Sequence, residues 1–114
     1  MKKKILTLSK NDDFKNILSG KKISNQYLTI FFKKLPSFTD NNTLNMSIIT
    51  KKKLGNAVFR NKIKRRLRNI IKSALDTANL NLKYSYLFMA KKNVFDDNYK
   101  LIKENIFREL KRIR

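Results

Sequence analysis

The chain of 114 residues contains no histidine, no cysteine and only eight acidic residues. Histidine is the commonest general base and metal ligand, so those roles would fall to carboxylates. Without cysteine, disulfides and thiolate metal sites are excluded. The adjacent acids Asp12-Asp13 and Asp96-Asp97 are interpreted as N-terminal residues of helices, where the helix dipole favours negative charge. We therefore expect no catalytic residue and no metal site in this chain.

Long apolar runs are also missing. No segment approaches the roughly 20 apolar residues that span a bilayer. The apolar residues near the N-terminus are interrupted by the polar residues 9–13, which argues against a secretion signal. The length suits one domain with a modest core, residues 1–114, with a basic arm at 1–10. We expect a cytoplasmic protein with no membrane partner and no obligatory protein partner.

Positive charge is what the chain has in excess. Lysine and arginine number 28, which gives a formal net charge of +20. Such a charge disfavours compaction through self-repulsion and predicts a polyanionic partner. Whether the free chain is fully folded at low salt, and its oligomeric state, are left open by the sequence.

The charge is concentrated in residues 51–72, which hold ten lysines or arginines and no acid. From Ala57 onward, apolar residues recur at three- and four-residue steps, which predicts an amphipathic helix to about Leu75. Like charges spaced four residues apart destabilise such a helix. The stretch therefore requires negative charge from another molecule, and we expect a phosphate backbone to supply it. A solvated surface face is the alternative. The predicted buried stripe is Phe59, Ile63, Leu67, Ile70, Ile71 and Ala74.

Arginine is used selectively. The chain has 21 lysines and seven arginines, yet four of the seven lie between Arg60 and Arg68. The guanidinium group grips phosphate with two parallel donors and stacks on bases, which an ammonium group cannot do. We interpret those four arginines as geometric contacts to a nucleic acid. Just upstream, Gly55 permits an unusual backbone conformation and Asn56 is a suitable N-cap.

The segment from Lys52 to Arg65, KKLGNAVFRNKIKR, resembles the signature of the bacterial ribonuclease P protein subunit. The resemblance implies a small basic protein that joins a catalytic RNA, contacts the 5′ leader of precursor tRNA and assists endonucleolytic removal of that leader. The RNA would carry out catalysis, with Mg²⁺ held by the RNA and the substrate. The candidate RNA-binding residues are Lys52, Lys53, Asn56, Arg60, Asn61, Lys62, Lys64, Arg65, Arg66 and Arg68.

The wider pattern predicts the order helix, strand, strand, strand, helix, strand, helix. This is an α+β sandwich, αβββαβα, with a four-stranded sheet backed by helices. The strands are assigned to 21–25, 26–32, 44–50 and 84–90, and the last helix is expected to be capped by Asp96-Asp97. Its buried stripe is predicted as Tyr99, Ile102, Ile106, Leu110 and Ile113. The resemblance further implies a left-handed βαβ crossover of the ribosomal-protein type, although general rules favour the right hand.

A second site is implied by the same resemblance, namely a cleft for the single-stranded leader. Asp13-Phe14 matches the family's first helix, but Leu18 stands where a later aromatic is usual and cannot stack on a base. Lys91 stands where arginine is common. Which strand face forms the cleft is open, since Tyr27 and Phe31 share one face and Leu28 shares the other with Ile30 and Phe32. The candidate leader residues are Phe14, Leu18, Tyr27, Phe31 and Lys91.

Three functional classes remain to be separated. The first is the protein partner of a catalytic RNA. The second is a ribosomal or RNA-chaperone module without a role in cleavage. The third, a nuclease acting without RNA, is disfavoured because the chain has no histidine and its acids are scattered. The aromatic row in strand 84–90 is interpreted as core, with a stacking surface as the alternative.

Overall fold

The computed structural model describes residues 4–7, 11–35, 42–77 and 80–113. Within these ranges, five strands and four helices follow one another, with a short 3-10 turn before the longest helix. Their bounds are β1 Lys4–Thr7, α1 Asn11–Leu18, β2 Lys21–Ser24, β3 Leu28–Lys34, β4 Thr43–Ile49, the turn Lys52–Leu54, α2 Ala57–Thr77, β5 Tyr84–Ala90, α3 Asn93–Asp96 and α4 Tyr99–Lys111.

The strands form one mixed sheet in the order β1-β4-β5-β3-β2. β4 pairs with β1 and β5 in parallel, whereas β3 pairs with β5 and β2 in antiparallel fashion. The α+β class is confirmed, but the expected count of four strands is wrong. The fifth strand, β1, lies in the basic arm, where Ile5 pairs with Leu44. The α2 helix connects the parallel neighbours β4 and β5, and the left hand of that crossover stays a prediction.

One sheet face packs against α2 and α4 and forms the main core. The predicted stripe of α2 is confirmed, because Ile63, Leu67, Ile70, Ile71 and Ala74 are buried, and Phe59 packs against them from the edge. The sheet contributes Leu28, Ile30 and Phe32 from β3 and Tyr86 and Phe88 from β5. Tyr86 and Phe88 stack with ring centroids 5.8 Å apart. The aromatic row of β5 is therefore core, and the stacking-surface alternative is wrong.

The opposite sheet face is partly covered by α1. Ile17 is its anchor and is 1% exposed, and the helix packs on β3 and β5. Gly20 lets the chain leave α1 close to β3, since a Cβ there would lie 2.5 Å from the main-chain oxygen of Phe32. The central strands thus have helices on one face and a partly open second face.

The ends of the helices differ from the prediction in three places. α2 continues past Leu75 to Thr77. The short helix α3 was not predicted, and it occupies the segment where Asp96 and Asp97 were expected to cap the last helix. The cap of α4 is Asn98 instead, whose side-chain oxygen accepts a hydrogen bond from the Lys100 amide at 2.8 Å.

None of the helices in the described ranges is both long and apolar enough to cross a membrane.

The buried stripe of α4 is confirmed except at its first residue. Ile102, Ile106, Leu110 and Ile113 are at most 3% exposed, whereas Tyr99 is 38% exposed. The helix begins at Tyr99, so this residue lies at the edge of the core and not within it. Its ring packs on an arginine of α2 instead of on the sheet.

Candidate nucleic-acid interface

Lysines converge at one edge of the sheet. β4 and β5 are parallel neighbours, so their carboxyl ends lie side by side. The chain continues from β4 into Lys51, Lys52 and Lys53 and from β5 into Lys91 and Lys92. Two lysine runs that are distant in sequence are therefore brought to the same edge.

A cleft of about 370 Å³ opens at this edge. Thr29 and Met89, which pair across β3 and β5, line it from the sheet. The lysines provide its charged wall and Leu54 an apolar contact. Its lining is Thr29, Lys51, Lys53, Leu54, Met89, Ala90, Lys91 and Lys92.

Lys91 is held in place at the cleft. Its Nζ donates to Ser24 Oγ at 2.9 Å and to the main-chain oxygen of Asn25 at 2.6 Å. Its amide donates to the main-chain oxygen of Tyr27 at 2.9 Å. These hydrogen bonds hold the ammonium group where β2, β3 and β5 meet, and they restrict the rotamers of the lysine side chain.

The start of α2 has the geometry that the sequence predicted. Gly55 has φ of +148°, which favours glycine. Asn56 caps the helix, because its Oδ1 accepts a hydrogen bond from the Phe59 amide at 2.9 Å. The 3-10 turn and this cap place Lys52 and Lys53 next to the first turn of α2, and both lysines are exposed.

The outward side of α2 is called the basic face here and consists of Asn61, Lys62, Arg65, Arg68 and Lys72, all of which are exposed. Arg60 and Lys64 are half-buried at its border. Among the described side chains, an ion pair joins Nη1 of Arg112 to Oε1 of Glu109 at 3.3 Å. Both residues are far from the basic face in sequence. The predicted RNA-binding residues of α2 therefore present positive charge that no described acid neutralises.

Arg66 departs from that pattern. Its Nη1 donates to the main-chain oxygens of Val94 and Phe95, each at 3.1 Å, and of Asp97 at 3.4 Å. Its guanidinium carbon lies 5.4 Å from the ring centroid of Phe95 and 5.3 Å from that of Tyr99. These hydrogen bonds join α2 to the α3–α4 segment, and the role of Arg66 as an RNA contact stays a prediction.

The predicted leader residues are only partly brought together. Phe31 is half-buried on the same face of β3 as Thr29, which lines the cleft. Leu18 is 48% exposed and is not part of the cleft lining. The side chain of Phe14 lies outside the described part of the chain. The open face is therefore the one that carries Thr29 and Phe31, while Leu28, Ile30 and Phe32 belong to the core.

Tyr27 does not share the face of Phe31. The Asn25 side chain accepts hydrogen bonds from the amides of Tyr27 and Leu28, at 2.8 and 3.1 Å, and this turn delays the start of β3 to Leu28. The Tyr27 side chain consequently enters the main core and is 4% exposed. A side-chain hydrogen bond with Asp97 is the main cause that raises the pKa of Tyr27, and burial and the negative charge of Asp97 raise it further. Tyr27 is therefore a core residue in this structure.

The described residues offer no obvious metal centre. They contain no group of three or more acids placed to hold an ion.

The family assignment follows from comparison with known proteins. The model of the family described as Ribonuclease P matches residues 1–114. The chain belongs to the ribonuclease P protein family. Its role is that of the protein subunit of ribonuclease P, a ribonucleoprotein endoribonuclease, and its partner is the ribonuclease P RNA.

Relatives named ribonuclease P protein component span nearly the whole chain. The protein from Streptococcus agalactiae is 32% identical over 113 residues, covering 96% of this chain and 94% of the relative. The protein from Fusobacterium nucleatum is 37% identical over 113 residues, covering 92% and 94%. The resemblance read from the Lys52–Arg65 signature is thereby confirmed.

Solved ribonuclease P proteins share the fold. The protein from Thermotoga maritima superposes with a TM-score of 0.78 at 25% identity, covering 96% of this chain and 98% of that one. The protein from Staphylococcus aureus gives a TM-score of 0.74 at 27% identity, covering 94% and 93%. The sheet with its helices is therefore the architecture of this family.

Sequence reasoning missed most of the cleft lining, namely Thr29, Lys51, Leu54, Met89, Ala90 and Lys92. The sequence did carry a signal for Lys51 and Lys92. Lys51 follows β4, Lys92 follows β5, and the single helix α2 connects these two strands. Strands joined in that way are commonly parallel, so their carboxyl ends and the lysines after them meet.

Proposed function

We propose that the chain binds the ribonuclease P RNA through the basic face of α2 and the turn before it, and guides the 5′ leader of precursor tRNA through the cleft. The observation that carries the proposal is the unneutralised charge of α2, whose exposed Arg65 and Arg68 have no ion-pair partner among the described residues. Arginine suits phosphate because its fork donates two parallel hydrogen bonds.

The cleft supports a separate role in substrate binding. It is about 370 Å³, with lysines from two chain segments on one wall and apolar contacts from Leu54 and Met89. Cations attract the phosphates of a single strand, whereas the apolar floor accommodates its bases. The half-buried ring of Phe31 continues the same strand face beyond Thr29. A single-stranded leader is the substrate segment that fits such a surface.

The RNA subunit carries out the cleavage in this proposal, and the protein positions the substrate. The chain has neither histidine nor cysteine, and its acids are few and scattered. Mg²⁺ would be held by phosphates of the RNA and the substrate, which are the hard oxygen ligands it prefers. The protein's cations would lower the repulsion between the two RNAs and so reduce the Mg²⁺ concentration that cleavage requires. The expected site of this reaction is the cytoplasm.

A cleavage assay at low Mg²⁺ tests this function. Precursor tRNA is incubated with the protein alone, with the ribonuclease P RNA alone and with both, and release of the leader is followed on a gel. We expect rapid leader removal only when both are present. Cleavage by the protein alone would favour a self-sufficient nuclease, and an absence of stimulation would favour a binding module without a role in cleavage.

A comparison of lysine variants tests the role of the cleft specifically. Lys51→Ala and Lys92→Ala should raise KM for precursor tRNA with a leader and leave the affinity for the ribonuclease P RNA unchanged. Arg108→Ala, on α4, removes an exposed charge elsewhere and serves as the control. Equal effects of all three variants on KM would contradict the assignment of the cleft.

A further inference from the structure

A second depression, separate from the cleft, is lined by residues of α2, α3 and α4. It has a volume of about 210 Å³ and lies where α2 meets α3 and the first turn of α4. Its lining combines cations, one amide and two aromatic rings: Lys62, Arg65, Arg66, Asn69, Phe95 and Tyr99. None of these residues lines the cleft at the sheet edge.

The aromatic part of this pocket is held rigidly. Arg66 lies over the rings of both Phe95 and Tyr99, and its hydrogen bonds to main-chain oxygens fix it there. Phe95 also packs edge-to-face on Phe59, with centroids 5.0 Å apart. Even so, Phe95 is 36% exposed and Tyr99 is 38% exposed. Two preorganised aromatic rings therefore offer surface to a ligand.

The rim of the pocket carries polar groups on one helical stripe. Lys62, Arg65 and Asn69 are spaced by three and four residues, so they lie on the same side of α2. All three are exposed, and neither cation forms an ion pair with a described acid. The Asn69 amide has both a donor and an acceptor, which is what the edge of a nucleobase requires.

We propose that this pocket receives one unpaired nucleotide of the ribonuclease P RNA, with its base against Tyr99 and Phe95 and its phosphate on Lys62 and Arg65. The inference depends on the proposed function, because it places a particular contact within the RNA-binding side of α2. The occupant is a nucleotide because the pocket combines ring surface with uncompensated positive charge. Stacking on aromatic rings is how proteins hold splayed bases of single-stranded or looped RNA.

A tryptophan reporter tests the base contact directly. The chain has no tryptophan, so Tyr99→Trp introduces a unique fluorophore into the pocket. Leu101→Trp is the control, because it introduces a fluorophore at a 58% exposed position of the same helix. A short oligouridylate should quench the fluorescence of the Tyr99→Trp variant, and an abasic oligonucleotide of equal length should not. Equal quenching by the oligouridylate and the abasic oligonucleotide would show a phosphate contact only. Quenching by polyglutamate would indicate a site for an acidic peptide. Either result, or no quenching by the oligouridylate, overturns the proposal.

The affinity for the whole RNA provides the second test. Tyr99→Ala should raise the dissociation constant for the ribonuclease P RNA by roughly five- to a hundredfold, the range for loss of one stacked base. Tyr99→Phe should bind as the parent does, since it keeps the ring, and Leu101→Ala is the control for α4. Thermal unfolding confirms that each variant is folded at the assay temperature.

The outcomes separate this inference from the proposed function. If Arg68→Ala weakens RNA binding and Tyr99→Ala does not, the basic face stands and the nucleotide pocket is wrong. If neither variant weakens binding, the proposed RNA interface is wrong as well. Weakening by Tyr99→Ala with retention by Tyr99→Phe supports both.

Discussion

The Nη1 atom of Arg66 donates to the main-chain oxygen of Phe95 at 3.1 Å, and the same guanidinium group lies over the ring of that residue. One side chain thus binds both the backbone and the ring of a residue 29 positions later. Arg65, its neighbour on α2, is exposed and has no such contact among the described residues. Two adjacent arginines in one basic run therefore have different surroundings, one bonded within the fold and one exposed to solvent.

Replacing Arg66 should destabilise the fold. Arg66→Lys keeps the charge but loses the planar fork that reaches several carbonyl groups and stacks on two rings. Hydrogen bonds to charged groups contribute roughly 1.5–3 kcal/mol, so we expect the free energy of unfolding to fall by about 1–3 kcal/mol. Urea unfolding followed by circular dichroism measures it.

The matched control is Arg65→Lys. Because Arg65 is exposed and unpaired among the described residues, its replacement should change the free energy of unfolding by less than about 0.5 kcal/mol. If the two variants were equally stable, the hydrogen bonds that Arg66 forms between α2 and α3 would contribute nothing to the free energy of unfolding.

Gly55 should resist substitution. Its φ of +148° is rarely adopted by residues with a side chain, and an added Cβ would lie 2.9 Å from Cδ2 of Phe59. We expect Gly55→Ala to lower the free energy of unfolding by roughly 1–3 kcal/mol, the usual cost of a strained backbone position. It should also weaken RNA binding, because the turn positions Lys52 and Lys53. Unfolding and RNA titration measure the two effects, and a variant as stable as the parent would contradict the strain.

Alkaline pH should weaken the fold through Tyr86. Burial, with a contribution from Tyr84, raises the pKa of Tyr86 well above its ordinary value of 10, and its hydroxyl donates to the main-chain oxygen of Asn81. Above about pH 10 the unfolded chain loses this proton while the folded chain keeps it, so the unfolded state binds fewer protons and stability falls as pH rises. The contribution is fully present below about pH 10.

Tyr86→Phe isolates this effect. The variant loses the hydrogen bond and should be less stable than the parent at neutral pH. Its free energy of unfolding should fall less steeply than the parent's between about pH 9 and about pH 11, because only the other groups still titrate. Parallel pH profiles for the two proteins would show that the Tyr86 phenol is not protected in the fold.

The strongest predictions from sequence were local ones. The α2 helix was predicted with its buried stripe because Ile63, Leu67 and Ile70 recur at helical spacing, and Asn56 was identified as its cap from its position alone. Both properties depend on residues a few positions apart. The task of Arg66 was hidden, because it depends on carbonyl groups of α3, a helix of four residues that has no apolar period of its own.

Long-range contacts explain the other differences. β1 is only four residues long and is defined by its parallel pairing with β4, about 40 residues later, so its own sequence carries little signal. Strand alternation predicts Tyr27 on the face of Phe31, but the Asn25 turn interrupts that alternation. Tyr99 fitted the apolar period of α4, yet the aromatic contact with Arg66 holds it at the surface.

The most direct test of the central claim is the dissociation constant of the ribonuclease P RNA measured across a range of salt. For Arg65→Ala/Arg68→Ala, we expect weaker binding and a slope of log K against log salt that is less steep by about 1–2, because two phosphate contacts are lost. Arg108→Ala/Lys111→Ala removes the same charge from exposed residues near the end of α4 and should leave both quantities close to the parent's. Binding and salt slope unchanged in the Arg65/Arg68 variant, or altered equally in both variants, would contradict the assignment of α2 as the RNA-binding helix.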